Sequence, residues 1–497
     1  MKKLLSIAFA LLWISLQSFV ADGQVIKFNK TYGDMAYNYG QRIIQAQDKG
    51  YYILGNESGD IGNTNIHVIK TDSLGIIRFE KVIGDASLYW ANDFKRTSDR
   101  GFLITGFTNK NLDKGYDVLL IKTDSNANVE WERTYGGNDW DIGNAVVETK
   151  DDAYLLVGKT YSYGAANENI YVIKTNFSGD TIWTKTFGGD STDYANAVDV
   201  MMDSTYLIGA TTNSFGHGNF DGYVLNLNTN GDTIWTQTFG EDKEDIINSI
   251  KQTPDSGFVF VGSTMSYNAI QHENWLMRYD KNRNYMWKFP ESWDIGAGDD
   301  VAYSVTVDDS SRFIVTGFTT GAGNGGKELS VLVMGDIHSF KCSMTNGSAK
   351  DDEGNYAVQT TDQGYVVIGS SEGMGLGLSN IYMLKIAHNC SYSPSTQHVT
   401  AVNEAVSTEK NDVFTVSPTI SNGHYTITFT DKNSLQDRDV AVNISDIYGR
   451  LVLSSNIHHA DNASYFINIS DKADGIYFIN VSGKTYMHSF KVLKCGN

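Results

Sequence analysis

Apolar and β-branched residues in this chain come in short runs cut by Gly, Asn and Asp, and the runs recur in sets of four. One set reads Asn144 to Thr149, Ala153 to Lys159, Ile170 to Thr175 and Thr181 to Thr186. Runs of this length bounded by turn formers predict β-strands, here termed a, b, c and d. The d run carries an aromatic residue that keeps time along the chain: Phe79, Trp131, Trp183, Trp235 and Trp287 fall 52 residues apart. A glycine follows each of the first four at Gly84, Gly136, Gly188 and Gly240, so Lys174 to Gly189 (KTNFSGDTIWTKTFGG) reads as a c–d hairpin and the turn into the next set. The b run closes on a glycine at Gly55, Gly106, Gly158, Gly209, Gly262, Gly317 and Gly369, which makes seven units. A fixed period of this kind predicts a repeat architecture.

The ends of the array decide which one. In the sixth unit Tyr303 to Val307, Phe313 to Gly317 and Leu329 to Met334 read as a, b and c, and in the seventh Tyr356 to Thr360, Tyr365 to Gly369 and Asn380 to Ile386 do so without a following d. Val25 to Thr31 is a d run without a c, with Phe28 five residues before Gly33, the offset that separates Trp183 from Gly188. A solenoid would carry atypical polar caps at both ends. Complementary halves of one unit instead predict a ring, and closure removes exposed sheet edges. The expectation is an all-β seven-bladed β-propeller over residues 24–390, with Val25 to Thr31 completing blade seven. The d-strand aromatics are expected to fill the space between neighbouring blades.

Composition agrees: 48 Gly, 4 Pro and 12% aromatics in 497 residues suit short strands and tight turns. The formal net charge of −19, with no Lys/Arg cluster, argues against nucleic acid or an anionic membrane surface as partner. Met1 to Gly23 has a basic start at Lys2 and Lys3, an apolar stretch to Val20 and small residues at Ala21-Asp22-Gly23, the pattern of a secretory signal peptide. No later run is long and apolar enough to span a bilayer, so no transmembrane segment is expected in the mature chain. Three cysteines, Cys342, Cys390 and Cys495, are too few for a disulfide framework. A Cys342–Cys390 bridge stays open, because matching positions of neighbouring blades can lie beyond disulfide reach.

After a polar linker at 391–412 the 52-residue period stops. Seven short strand-like runs, from Phe414 to Val492, predict a small Ig-like β-sandwich at 413–497. Its motifs SDIYGRLV (Ser445 to Val452), INISDKADGIYFINV (Ile467 to Val481) and KVLK (Lys491 to Lys494) resemble the C-terminal sorting domain of proteins exported by the type IX secretion system of Bacteroidetes. The matching positions are Gly449, Arg450, Gly475, Tyr477, Lys491 and Lys494. The family's opening Pro-Asn-Pro turn is replaced here by Val416-Ser417-Pro418-Thr419. The resemblance implies passage through the periplasm, recognition by the type IX machinery, and release or attachment at the cell surface.

Several motifs invite chemistry. Gly369-Ser370-Ser371-Glu372-Gly373 spells a nucleophile elbow but follows a b strand instead of opening a helix, so a loop is expected. Oxygen side chains alternate in the c–d turns, as in Asp124, Asn126 and Asn128 or Asn176, Ser178 and Asp180. That alternation resembles the start of a calcium loop, yet the glycine and distal carboxylate of a full site are missing, so hairpin turns are expected. An acid recurs before the a strand in most blades, at Asp141, Asp193, Asp245 and Asp300 and at Glu353 in blade seven, with Asn38 at this place in blade one. Such an acid either binds ligand on the face of the b–c loops or bonds amides of its own turn, and following the repeat favours the turn. The b–c loops vary most, and their Tyr161, Tyr163, Phe215, His217, Phe220, Tyr267 and His272 suit recognition of a sugar or peptide. The Trp repeat is spaced differently from the quinoprotein repeat, no zinc spacing is present, and no cofactor is expected. The resulting reading is an exported extracellular or cell-surface binding or structural propeller without a catalytic centre. A secreted hydrolase or lyase acting on polysaccharide or peptide is the alternative, and would require blade-specific acids to converge on one pocket.

Overall fold

The computed structural model describes residues 27–390 apart from 35, 59–63, 86, 111–114, 165–166, 268, 290–297, 323–324 and 376, and eight segments between 414 and 494. The signal peptide, the linker, and Gly449 and Arg450 lie outside the described residues. The chain divides into two compact units, 1–396 and 397–497.

The first unit is a ring of seven four-stranded antiparallel sheets, each ordered a-b-c-d. Blade three shows the pattern: Asp141–Glu148, Ala153–Thr160, Asn169–Asn176 and Thr181–Phe187. Every a strand packs against the a strands of the blades on both sides, and blade seven's touches blade one's, so the a strands encircle a central axis. Blade seven is Asp352–Gln359, Tyr365–Ser371 and Asn380–Ile386 plus Phe28–Tyr32, which pairs with Asn380–Ile386 as the fourth strand. The orphan d run closes the ring. Blade six also has a d strand, Ser339–Asn346, in a stretch where the weakened period gave no such reading.

The repeated aromatics lie between blades. Trp131 faces Tyr154 of the next blade at 6.2 Å, Trp235 faces Phe258 at 5.9 Å and Trp287 faces Phe313 at 5.8 Å. Each also covers the c–d turn of the following blade: a Cβ on Gly231 would sit 2.8 Å from the Trp183 ring, and Gly231 has φ +77°. Gly231→Ala therefore adds a left-handed alanine and a clash, and is expected to cost at least about 1–2 kcal/mol in chemical denaturation. A change below about 0.5 kcal/mol would show that the turn relaxes without cost.

The c–d turn oxygens are spent on their own backbone. Asn176 Oδ1 accepts the amides of Ser178 and Asp180 at 2.9 Å, and Asp124 Oδ1 those of Asn126 and Asn128 at 2.8 Å. These are hairpin turns held by local side-chain bonds.

The second unit has a three-stranded sheet (Phe414–Ser417, His424–Phe429, Ser464–Asn468) and a five-stranded sheet containing Asp439–Asp446, Leu451–His458, Gly475–Ser482 and Met487–Lys494. Both contribute to one core, with Tyr425, Ile427 and Ile467 from the first and Val442, Ile444, Ile479 and Val492 from the second. The fifth strand, Ile420–Ser421, pairs in parallel with Met487–Lys494, a pairing that antiparallel patterning did not indicate.

Candidate functional site

A bulge opposite the end of each b strand creates the site. A Cβ at Gly158 would lie 1.9 Å from the Ile142 carbonyl, and at Gly262 1.7 Å from that of Ile246, and six blades keep glycine at this place. In blade four Ala210 stands there opposite Ala195 and the bulge forms all the same, with Gly209 one place along opposite Ala197. In all seven blades the a strand carries a one-residue bulge at this point, between Gly143 and Ala145 in blade three for example. A bulge re-aims its extra residue. The seven bulge residues are Gln41, Asn92, Asn144, Asn196, Asn248, Tyr303 and Asn355, and all seven line one open polar depression on the axis, about 390 Å³ in volume.

Five of the seven are asparagines that stitch the ring. Asn92 Nδ2 donates to Gly143 O, Asn144 to Ala195 O, Asn196 to Ile247 O, Asn248 to Ala302 O and Asn355 to Gly40 O, at 2.7–2.9 Å. Each uses one N–H on the next blade; Asn92 also reaches Asn144 Oδ1 at 3.3 Å and its own Oδ1 accepts Trp90 Nε1 at 3.0 Å, while an amide with one bridging bond carries a second donor and a carbonyl besides. The pattern breaks at Gln41, where Asn56 of the b strand bonds Ala91 instead, and at Tyr303. Tyr39, Trp90, Arg42, Glu353 and Ser370 complete the wall.

Asp93, 1% exposed, ties three blades together beside this mouth. It accepts from Arg42 Nε of blade one at 2.9 Å, Lys95 Nζ at 3.1 Å and the Val146 amide of blade three at 3.1 Å. Burial opposes its ionisation, but Lys95, Arg42 and the Val146 amide together hold the carboxyl at about 2. A depressed carboxylate stabilises the fold above its unfolded pKa, and that stability is lost as pH falls through the folded value. Asp93→Asn is therefore expected to cost about 2 kcal/mol at pH 7. In urea titrations the gap between wild type and variant should close between about pH 4 and pH 2; a gap independent of pH would show that the charge contributes nothing.

The recurrent acids belong to turns. Asp141, Asp193 and Asp245 are wholly buried and Asp300 is 2% exposed. Gly137 N donates to Asp141 Oδ2 at 2.8 Å, Gly189 N to Asp193 at 2.8 Å and Glu241 N to Asp245 at 3.0 Å, and Ser162, Ser214 and Ser266 hydroxyls join them. Burial raises the Asp141 pKa while Thr160, Ser162 and the Gly137 amide pull it down. None of the four lines the axial mouth. Asp300 lies instead beside Glu273 and Asn274 on a separate cavity of about 280 Å³ between blades five and six. In blade seven the structural equivalent is Asp352, which accepts Ser348 N at 2.6 Å, and not Glu353, which faces the mouth and pairs with Lys327 at 2.5 Å. Ser371 of the elbow-like motif is buried in its strand and accepts the Met374 amide at 2.9 Å.

The loop candidates are spread over blades three to five, and among the described residues no ring contact joins one loop to the next. Tyr163 and Phe215 fold back on Tyr171 and Tyr223 of their own blades, each at 5.6 Å, and Tyr163 also donates to Gly136 O at 2.7 Å. Phe220 packs 6.3 Å from Tyr194, and the Tyr267 ring lies 3.7 Å beneath Lys288 Nζ. His217 is exposed, with its amide bound to Asp221, and His272 Nε2 stands 3.8 Å from Glu244. Tyr161 alone belongs to a larger aromatic arrangement, at 6.4 Å from Trp140.

In the second unit Gly475 stands opposite Lys494 and Phe478 opposite Lys491 in the antiparallel pairing of the last two strands. Tyr477 and Lys494 are each 5% exposed, and Tyr477 belongs to the core. Residues 415–494 match the family model described as secretion system C-terminal sorting domain. The C-terminal unit is a type IX sorting domain. The protein carrying it is a secreted or cell-surface propeller, and the tail implies an encounter with the type IX machinery and an origin in Bacteroidetes. Among solved structures the chain is similar to PorZ, a bacterial surface component of the type IX secretion system of Porphyromonas gingivalis, at 11% identity and TM-score 0.39. That alignment covers 93% of this chain and 59% of PorZ, so the chain spans well under two thirds of that structure. It is also similar to the β-propeller domain of the Trilobed protease from Pyrococcus furiosus, at 8% identity and TM-score 0.41, covering 74% of this chain and 99% of that domain. No curated protein matches the chain. Among the described residues no helix is long and apolar enough to cross a membrane.

Proposed function

We propose that the exported protein is a non-catalytic recognition propeller that takes its ligand at the axial mouth. The observation that carries this reading is the set of bulge residues, five Asn with Gln41 and Tyr303, converging from all seven blades on one opening. Catalysis by acid and base requires a few titratable groups placed against one reacting centre. The wall here consists mainly of amides, the buried Asp93 is held ionised by two cations, and Glu353 is engaged with Lys327. Fixed amides and aromatic rings bind polar neutral groups by hydrogen bonds and stacking, without a proton to transfer.

The test is a binding screen of the exported chain against glycans and extracellular proteins, run beside a broad hydrolase and lyase screen. Gln41→Trp, which fills the mouth from the one amide position that does not bridge to the next blade, is expected to abolish the binding found while leaving the melting temperature unchanged. Turnover lost on changing Glu353 or Asp300 would overturn the reading, as would binding indifferent to Gln41→Trp.

A further inference from the structure

Two walls of the axial mouth, Tyr39 and Trp90, are also links in a chain of aromatic rings that leaves the mouth and crosses blades one to three. Tyr37 stacks on Tyr39 at 6.3 Å, Tyr39 meets Trp90 at 5.6 Å, and Trp90 stacks on Phe107 at 6.3 Å. Phe107 meets Tyr116 at 5.2 Å, Tyr116 meets Trp140 at 5.1 Å, and Trp140 meets Tyr161 at 6.4 Å. The two ends of the row are open to solvent, with Tyr37 42%, Trp140 51% and Tyr161 44% exposed. The rings are braced from below. Trp90 Nε1 donates to Asn92 Oδ1 at 3.0 Å, the Tyr161 amide bonds Trp140 O at 2.9 Å, and Gly115 at φ +89° lies so close under Trp140 that a Cβ would sit 2.7 Å from its ring.

The row uses places that are aromatic in only some blades. Tyr39 and Tyr194 stand in blades one and four where Trp90 stands in blade two, but Ile142 and Ile246 stand there in blades three and five; Tyr37 holds Trp140's place in blade one, while Thr192 and Glu244 hold it in blades four and five. Packing between blades is already served by the aromatics spaced 52 apart, so Trp90 and Trp140 are not needed for it. Large exposed apolar patches rimmed by polar groups mark binding surfaces.

We infer that a neutral oligosaccharide lies along this row, with one end in the axial mouth. The inference rests on the mouth being the ligand site. Successive rings in the outer half of the row stand at 60–76° to one another, so sugar C–H faces would rest on single exposed rings such as Trp140 and Tyr161, while sugar hydroxyls suit the amides of Asn144 and Gln41 in the mouth. Charge selects within the class: Asp34, Asp139 and Glu353 stand beside the row on a chain of net charge −19, which repels sulfated or uronic chains. A peptide is the poorer fit, since its recognition draws on an unpaired sheet edge or on deep side-chain pockets, whereas the row is a shallow track of side chains.

The test titrates the exported chain, by tryptophan fluorescence, with neutral gluco- and manno-oligosaccharides of increasing length, their sulfated and uronic counterparts, and extended peptides. Affinity for neutral chains should rise with length. Trp140→Ala, at an exposed position, should lower affinity for the longest neutral chain by at least about tenfold while leaving the shortest one, held in the mouth, unchanged. Long-chain affinity lost in Gln41→Trp but intact in Trp140→Ala would overturn the track and leave the mouth standing. Affinity intact in both variants would overturn both. Binding of sulfated, uronic or peptide probes in preference to neutral sugar would overturn the inference about the ligand.

Discussion

Removing Phe28–Tyr32 is expected to abolish cooperative unfolding of the propeller, because in these five residues the chain's beginning supplies the fourth strand of the blade that ends the ring. They pair with Ile381 to Lys385, whose apolar side chains are fully buried. Without them the c strand of blade seven becomes an unpaired edge carrying Ile381, Met383 and Tyr382. Tyr32 concentrates the effect: it is 5% exposed, packs among Ile43, Ile53, Ile69 and Met383 of blades one and seven, and donates to Gly75 O at 2.9 Å. Tyr32→Ala alone should therefore cost about 3–5 kcal/mol, the range for removing a large buried aromatic. The strand deletion should go further and expose residues 352–386 to protease. Guanidinium unfolding of the two variants, followed by limited proteolysis, measures both effects. A deletion variant that unfolds at the wild-type midpoint would mean that the contacts between inner strands suffice to hold the ring.

The ring was legible because its signals are local and repeated. A strand of period two, a turn glycine and an aromatic at constant offset each have a physical cause that recurs from blade to blade, so Phe28 could be recognised as a displaced copy of Trp183. The axial site was harder to see for the opposite reason. Asn144, Asn196 and Asn248 stood in the sequence as ordinary strand residues, and only the bulge opposite Gly158, Ala210 and Gly262 turns them toward the axis. A bulge is a register event between two strands and leaves no mark on either alone. The glycine that six blades keep at this place was a partial signal, and blade four, with Ala210 there, forms the bulge without it. Trp90 and Trp140 fall outside the 52-residue spacing and outside the variable loops, whose Tyr163 and Phe215 turn their rings back onto their own blades.

The cysteine bridge, left open when equivalent positions of neighbouring blades are compared, forms between positions that are not equivalent. Cys342 and Cys390 are bonded, with Cα atoms 5.8 Å apart. Cys342 pairs with Val333 just before the register shift, as Trp183 pairs with Lys174, so it holds the place of the repeated Trp. Cys390 has φ +56° and donates its amide to Ala387 O, as Gly231 does to Asn228 O, so it holds the place of the turn glycine beneath that Trp. These positions are not equivalent copies in neighbouring blades. They are the two partners of the inter-blade contact, and the disulfide substitutes a covalent bond for an aromatic ring on a glycine. The oxidising route through the periplasm favours such a bond. Closing a 48-residue separation, it is expected to contribute about 4 kcal/mol through restriction of the unfolded chain. Unfolding of Cys342→Ser/Cys390→Ser should show that loss, and wild type in reductant should fall to the same midpoint. Cys342→Trp/Cys390→Gly, which restores the repeat's own solution between blades six and seven, should recover about 2 kcal/mol by burial. If the serine pair is as stable as wild type, the bond is ornamental to the ring; if the Trp/Gly pair recovers nothing, blade six has lost the space that its neighbours keep for the ring.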